Sequence, residues 1–407
     1  MERQIRATAL RDRDRAVEGA PHLAVDAYST EVVDSESGFD ELREEWNALE
    51  SRLELPSPFQ TWEWQSAWWR HFGRVRGERL QIVAFRRGGR LAGAVPFTER
   101  RLFGGIELAP IGWRDRITEY RVPLFPRDER PQLLEALWSW LAGHPWAAAS
   151  LLQIGAEDRL PEPAMPYVVK REDIVFEHLI LPESWQALDR ALNQSMRSNV
   201  RYYPKLMVRE GHPFEFEVAR SAREISAALP TLWELHSARA AAQTKIRHLD
   251  YFKPPARRAF LADVLPALAG NGQAAIGMLR VHGEVVAAQL WLEQSGTVFL
   301  YYSGFLPAWS KYSVAMITTS EIFKDAMARD VHRVEFLRGA NHFKSRWGTQ
   351  QRVETELVLA RNRTLVLARE RWLTERKRTR QRFDRWRHRV EDVLSRRLQP
   401  SRTTPQI

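Results

Sequence analysis

The stretch Val331 to Gly348, VHRVEFLRGANHFKSRWG, decides how the chain is read. It opens as a short apolar strand, Val334-Glu335-Phe336-Leu337, and turns at Arg338-Gly339. A polar, cationic run follows, with Asn341, His342, Lys344 and Arg346, and closes at Trp347-Gly348. A buried strand that breaks at glycine into polar residues delivers side chains to the carboxyl end of a sheet, where open α/β folds place ligands.

Upstream of this stretch the pattern continues as a mixed α/β unit. A strand, Phe214 to Val218, leads into a helix carrying Ile225, Leu229, Leu232, Trp233 and His236, and a second helix runs from Pro255 to Leu268. The turn His282-Gly283 joins two apolar runs into a hairpin, followed by the strand Val298 to Tyr302 and a helix from Ser313 to Ala328. Residues 28–184 repeat the order. There a strand at Tyr28 to Val33 precedes a helix capped by Ser37 and, after Thr61, a helix bearing Trp62, Trp64, Trp68 and Trp69. A hairpin turns at Gly88-Gly89, a strong turn signal between apolar runs, and the strand Ala149 to Ile154 ends at Gly155. Gly89 and Gly283 lie 194 residues apart and Gly155 and Gly339 lie 184 apart, as two copies of one module would. Chance likeness of two α/β halves is the alternative.

Between the modules, residues 185–212 read as one crossover helix with a basic face (Arg190, Arg197, Arg201, Lys205, Arg209), kinked or ended by Pro204. Either that face is solvated, or Arg197 and Arg201 line a cleft and meet an anion. Residues 1–27 alternate charges, lack an apolar segment and read as a lead-in rather than a signal sequence. No run approaches the roughly 18 apolar residues of a membrane span. The chain of 407 residues contains no cysteine, which removes disulfides, thiolate metal sites and cysteine nucleophiles. A cytoplasmic protein is expected.

The net charge of +10 belongs to one place. Between Arg361 and Arg402, 15 basic residues stand against five acidic ones, so the tail carries +10 and the body none. A nucleic-acid groove across the body is disfavoured. The tail, 361–407, reads as a helix with Phe383, Trp386, Val390, Val393 and Leu394 on one stripe. It would dock on the body, lie on an anionic membrane surface at the inner face, or bind RNA such as tRNA, the last least favoured.

The ordered motifs resemble those of the FemAB-like and CelD-like GNAT acyltransferases. They are Pro58-Phe59-Gln60, Gly88 to Gly93 with Val95-Pro96-Phe97, Leu235-His236 with Arg239, Tyr301-Tyr302-Ser303-Gly304, and Arg338-Gly339 with Phe343-Lys344, Arg346 and Trp347-Gly348. The likeness runs from about Glu31 to Ala360. It implies an α/β fold of the α+β type with mixed sheets. Two tandem GNAT-like modules, 28–184 (degenerate) and 213–360 (carrying the site), would be followed by a basic C-terminal helix. It also implies an acyl-CoA donor that slots between two strands splayed at a bulge. Its phosphates would then meet the helix start Lys311-Tyr312-Ser313-Val314, with Ser313 as cap and Lys311 in place of the glycine-rich loop.

Acyl transfer to an amine needs a base, oxyanion donors and an acid for the leaving thiolate. Glu335 is the first choice for the base, or else a strut paired with Arg338 or Arg346. His236 is a second candidate, or a core histidine satisfied by backbone. Tyr302, late in the splayed strand, would protonate the thiolate or only pack its ring. The resemblance puts Lys344 at the substrate cleft; otherwise it satisfies the last helical carbonyls. Arg338, Asn341, Arg346 and Trp347 complete the substrate wall, Arg338 as a bidentate clamp on phosphate or carboxylate. The Trp-rich helix is core, or stacks on sugar rings. No HExxH or phosphate-loop motif occurs and no metal is expected. The reading is an N-acyltransferase acting on a cell-envelope or exopolysaccharide precursor. Its rivals are a non-catalytic scaffold in a polysaccharide-synthesis complex and an aminoacyl-tRNA-dependent transferase.

Overall fold

Tight turns set the outer pairings. Gly88 and Gly89 have φ of 57° and 79°, and His282 and Gly283 have 49° and 83°, the left-handed values that two-residue hairpins require. The computed structural model describes residues 28–361, apart from 103–104, 116, 156–166, 243–247 and 340–341, together with Glu375. The lead-in and, except for Arg361 and Glu375, the basic tail lie outside the described residues, as does Asn341.

The first half runs β1 (Ser29–Val33), α1 (Glu36–Glu41), α2 (Arg43–Glu50), α3 (Trp62–Trp68), β2 (Arg79–Arg87), β3 (Arg90–Leu102), β4 (Gly105–Pro110), α4 (Arg130–Gly143), β5 (Ala148–Gly155) and β6 (Tyr167–Ile180). Two linking helices follow, α5 (Trp185–Ala191) and α6 (Gln194–Arg209). The second half repeats the order as β7 (Phe214–Ala219), α7 (Ala222–Ala241), α8 (Pro255–Gly270), β8 (Ala274–Val281), β9 (Glu284–Gln294), β10 (Thr297–Phe305), α9 (Val314–Met327), β11 (Arg333–Arg338), α10 (His342–Ser345) and β12 (Gln350–Ala360).

Two local expectations change. Ser35, not Ser37, caps α1, its hydroxyl accepting from Gly38 N at 3.1 Å. The linker is two helices rather than one, because Asn193 leaves helical geometry and caps α6 through Met196 N, while Pro204 sits inside α6.

Two separate sheets were expected, and one is found. Its twelve strands run β1-β2-β3-β4-β5-β12-β6-β11-β10-β9-β8-β7. The last strand of each half lies in the other half: β12 pairs with β5, and β6 pairs with β11. The exchanged strands also pair with each other, antiparallel, from Gln350↔His178 to Ala360↔Tyr167. Reading inward from either edge gives the same order, so the halves are related by a twofold through the β12–β6 pair.

Helices α1–α3, α7 and α8 share one face of the sheet in a core common to both halves. Trp64 meets Phe260 edge-on at 5.0 Å across the junction, and Arg70 and His71 of the first half reach Asp263 of the second, each at 2.9 Å. Trp64 and Trp68 are fully buried, so the Trp-rich helix is core. Burying such a side chain contributes about 1.5–3 kcal/mol. The opposite face is covered by α4 in the first half and by α5, α6 and α9 in the second. Among the described residues no helix is long and apolar enough to cross a membrane.

Candidate active site

The site is built where β10 and β11 part. They pair in parallel only from Thr297↔Arg333 to Phe299↔Glu335. Just beyond, β10 bulges against β9 between Leu300 and Ser303, and β11 bulges against β6 between Glu335 and Arg338. Leu337 sits in the second bulge at φ 62° and Gly339 follows at 87°. A leucine held in that region costs about 1–3 kcal/mol, so the surroundings must enforce it. Lys344 does so, donating to the carbonyls of Leu337 (3.2 Å), Arg338 (2.9 Å) and Gly339 (2.7 Å). On the other strand, Gly304 lies so close to α7 that a Cβ would come within 2.2 Å of His236 N.

One wall comes from the first half. After Pro110 the chain leaves the sheet, and Gly112 (φ 84°) closes a loop so tight that a Cβ there would lie 2.3 Å from Thr118. The loop is pinned into the second half. Within its own half Trp64 Nε1 donates to Thr118 Oγ1 at 2.9 Å, and from the second half the Tyr301 hydroxyl donates to the Ile117 carbonyl. Tyr120 stacks on Phe176 at 4.8 Å and donates its hydroxyl to Glu335 Oε2 at 2.8 Å, while Arg352 Nη2 donates to that hydroxyl at 2.7 Å. Arg121 pairs with Glu356, which also accepts from Arg338 Nη2 at 2.6 Å. Between these anchors the Glu119 carboxylate accepts the Arg338 backbone N–H and faces the charges of Arg338, Arg121 and Lys344. Burial pushes its pKa upward. Sequence reading missed Glu119, because nothing local marks a loop residue that completes another half's crevice.

Several expected roles change. Glu335 is fully buried and held by Arg333 Nε and Nη2 at 2.8 and 2.7 Å as well as by Tyr120, so it is a strut, with Arg333 as partner instead of Arg338 or Arg346. His236 is a core histidine: Nδ1 lies 2.8 Å from the Ser303 carbonyl, Nε2 accepts from Tyr251 N at 3.3 Å, and burial lowers its pKa. Trp347 is 1% exposed and packs on Phe323 at 4.9 Å, so it builds the core instead of the substrate wall. Arg197 turns back onto the end of α5, with Nε donating to the Asp189 carbonyl at 2.9 Å, and Arg201 pairs with the Asp189 carboxylate. Their side chains are occupied by α5 and do not line the crevice. Lys344 spends its donors on the β11 turn. Burial brings it down to about 8, against the pull of Glu177, Glu119 and Glu335.

Tyr302 lies on β10 just past its pairing with β11 and packs its ring on Phe252 at 4.9 Å, Tyr251 at 5.7 Å and His236 at 5.8 Å. Its hydroxyl shares a hydrogen bond with Tyr301, and burial raises its pKa, so it holds its proton at neutral pH. At the start of α9, Lys311 Nζ and the Tyr312 hydroxyl both bind Glu210, at 3.0 and 2.7 Å. Ser313 adopts a left-handed conformation (φ 52°) and makes no side-chain cap, which corrects the expected Ser313 cap. A cavity of about 250 Å³ opens here, lined by Asn199, Tyr203, Ser310, Ser313, Phe343 and Arg346. Val314 and Ala315 also line it, at the first turn of a helix whose N–H groups favour an anion.

A larger cavity, about 940 Å³, lies elsewhere, at the amino ends of β10 and β11. Tyr120, Arg333 and Arg352 line it together with Arg130 and Pro131 of α4. By the twofold this is the first half's own β4–β5 crevice. The smaller opening instead joins the end of β10, through Phe305, to the first turn of α9.

Residues 194–345 match the model of the acetyltransferase (GNAT) domain family, a stretch that takes in the parted strands and α9. No protein of curated function matches the chain by sequence. Among solved structures, FemX superposes with a TM-score of 0.55 at 10% identity, covering 78% of this chain and 96% of that one. The C-terminal domain of a putative lysylphosphatidylglycerol synthetase from Agrobacterium fabrum gives 0.48 at 12% identity, with 81% and 96% covered. A tandem GNAT protein from the clavulanic acid biosynthesis pathway gives 0.40 at 12% identity, with 82% and 99% covered. The FemX likeness establishes the fold, and the domain match locates the transferase unit in the second half. Residues 194–345 thus match a GNAT acetyltransferase domain, within a chain that shares the fold of FemX.

Proposed function

We propose that the second half transfers an acyl group from an acyl-CoA to an amine or hydroxyl of a cell-envelope or exopolysaccharide precursor. The observation that carries this is the parting of β10 and β11 at two opposed bulges, beside the start of α9. From Leu300 on, the β11-facing backbone groups of β10 have no partner in β11 and are turned toward the gap. A thioester entering there meets backbone donors at its carbonyl oxygen. Its phosphate end reaches the α9 start, where Arg346 supplies the positive charge that a glycine-rich loop does not. When the tetrahedral adduct collapses, Tyr302 is placed to protonate the departing thiolate.

Calorimetry with acetyl-CoA tests the donor. Arg346→Ala should weaken binding, whereas Lys311→Ala and Lys344→Ala should leave it near wild type, since both lysines are engaged with protein groups. Wild-type protein that binds no acyl-CoA would end this reading. A second reading is a non-catalytic scaffold in a polysaccharide-synthesis complex. Its support is that Glu335, His236 and Lys344 are all committed to holding the fold. Donor binding without thiol release in the presence of any amine would favour it.

A further inference from the structure

We propose that Glu119, carried on the first half's loop, is the group that takes the proton from the attacking acceptor in the second half's crevice. The inference rests on the acyl-transfer reading above and adds the missing base. The loop is fixed on both sides of Glu119: Thr118 by Trp64, Ile117 by Tyr301, Tyr120 by Glu335 and Arg121 by Glu356. These anchors leave the Glu119 carboxylate at the end where β10 and β11 part, against the Arg338 backbone N–H.

The carboxylates around it are closed off. Glu335, Glu356 and Glu177 are 0%, 7% and 1% exposed, and the first two are each held by arginine. Glu119 keeps partial exposure. Its charged surroundings come from every neighbouring element: Arg121 on its own loop, Arg338 on β11, Lys344 on α10, and Tyr301 and Tyr302 on β10. Arg257 of α8, whose Nη2 donates to the Asp115 carbonyl at 2.7 Å, holds the same loop from the other side. Burial raising a carboxyl toward neutrality suits it to accept a proton at physiological pH.

The step balances without a further reagent. The acceptor nitrogen bonds to the thioester carbon, and its proton passes to the Glu119 carboxylate. The carbon–sulfur bond breaks, and the thiolate takes a proton from Tyr302, which is restored from Glu119 through the crevice. The products are an amide and a free thiol. The site is therefore composite, with the donor held by one half and the base supplied by the other.

Glu119→Gln removes the proton acceptor and keeps the shape. Thiol release from acetyl-CoA with a panel of primary amines should fall by about 100-fold or more. Acetyl-CoA affinity should stay unchanged, and the acidic limb of the pH–rate profile should be lost. A second variant keeps the carboxylate: Glu119→Asp should retain the acidic limb and a larger share of the rate than Glu119→Gln. An acidic limb unchanged in Glu119→Gln, or a Glu119→Gln rate within about threefold of wild type, would overturn the assignment while leaving the donor reading standing. Failure of the wild type to bind acetyl-CoA would overturn both.

Discussion

The two halves differ most in a single connection. After β10, residues 306–313 make a short 3-10 turn and enter α9 directly. After β4, residues 111–129 leave the sheet, cross to the other half and return before α4 begins. The strands on either side are alike: each half has a short parallel pair, Glu107↔Ala148 and Leu108↔Ala149 in the first, Thr297 to Phe299 with Arg333 to Glu335 in the second. Each also has a bulge on the far side of its last parallel strand, at Leu151–Ile154 and at Glu335–Arg338. A repeated unit thus keeps its sheet, where every residue is tied by hydrogen bonds, and diverges in a connection, where length is cheap. The longer connection lines the first half's cavity through Tyr120, Val122 and Pro123 and also reaches into the second half at Tyr301.

The largest test concerns the exchanged strands. Residues 28–184 alone retain β6 without its partners β11 and β12, and a chain ending at Gly348 lacks the strand between β5 and β6. Neither should give a cooperative thermal transition by circular dichroism, and a sharp one from either would show that the halves are independent after all. Next, Glu335→Ala strands Arg333 and Tyr120 in the interior. Chemical denaturation should register a loss of about 3–5 kcal/mol.

Gly304→Ala tests the approach of α7 to β10. Its Cβ meets His236 N at 2.2 Å, so a loss of about 1–3 kcal/mol is expected, and an unchanged melting temperature would contradict that packing. Arg346→Ala and Arg130→Ala set the two helix starts against each other. Donor affinity should drop about tenfold for the first, the worth of one charge-assisted hydrogen bond, and hold for the second. If both fall, the first half's crevice also takes part.

The smallest effect is in pH. Lys344 sits at about 8 in the folded protein against an ordinary 10.5, so between those values the unfolded chain holds a proton the folded one has released. Stability should rise with pH across that window. The three carbonyl hydrogen bonds favour the charged form and trim the gain to about 1 kcal/mol. Lys344→Met should flatten the slope in denaturation measured from pH 8 to pH 10.

Much of the fold was legible because its signals are local. The hairpins at Gly88-Gly89 and His282-Gly283 follow from positive φ, and the helix after Thr61 follows from that side chain accepting Trp64 N at 3.2 Å. The site was legible only as a region. Arg338 and Lys344 do meet at the end of β11, but their partners decide what each does. Lys344 faces three carbonyls and Arg338 faces Glu356, 18 residues on. No spacing rule contains that information. The halves' common order was likewise visible, whereas β12 lying between β5 and β6 was not.

Alternation, turn chemistry and glycine placement, read along the sequence by itself, determined the α/β class, the repeated order of elements and the end of the strand at Gly339. Those properties arise from backbone sterics within a few residues. Tertiary structure alone decided which carboxylate is closed off and which is left facing the crevice, since Tyr120 reaches Glu335 across 215 residues and Arg121 reaches Glu356 across 235. A buried charge takes its role from whatever opposite charge the fold sets beside it, and that neighbour is chosen by the path of the chain.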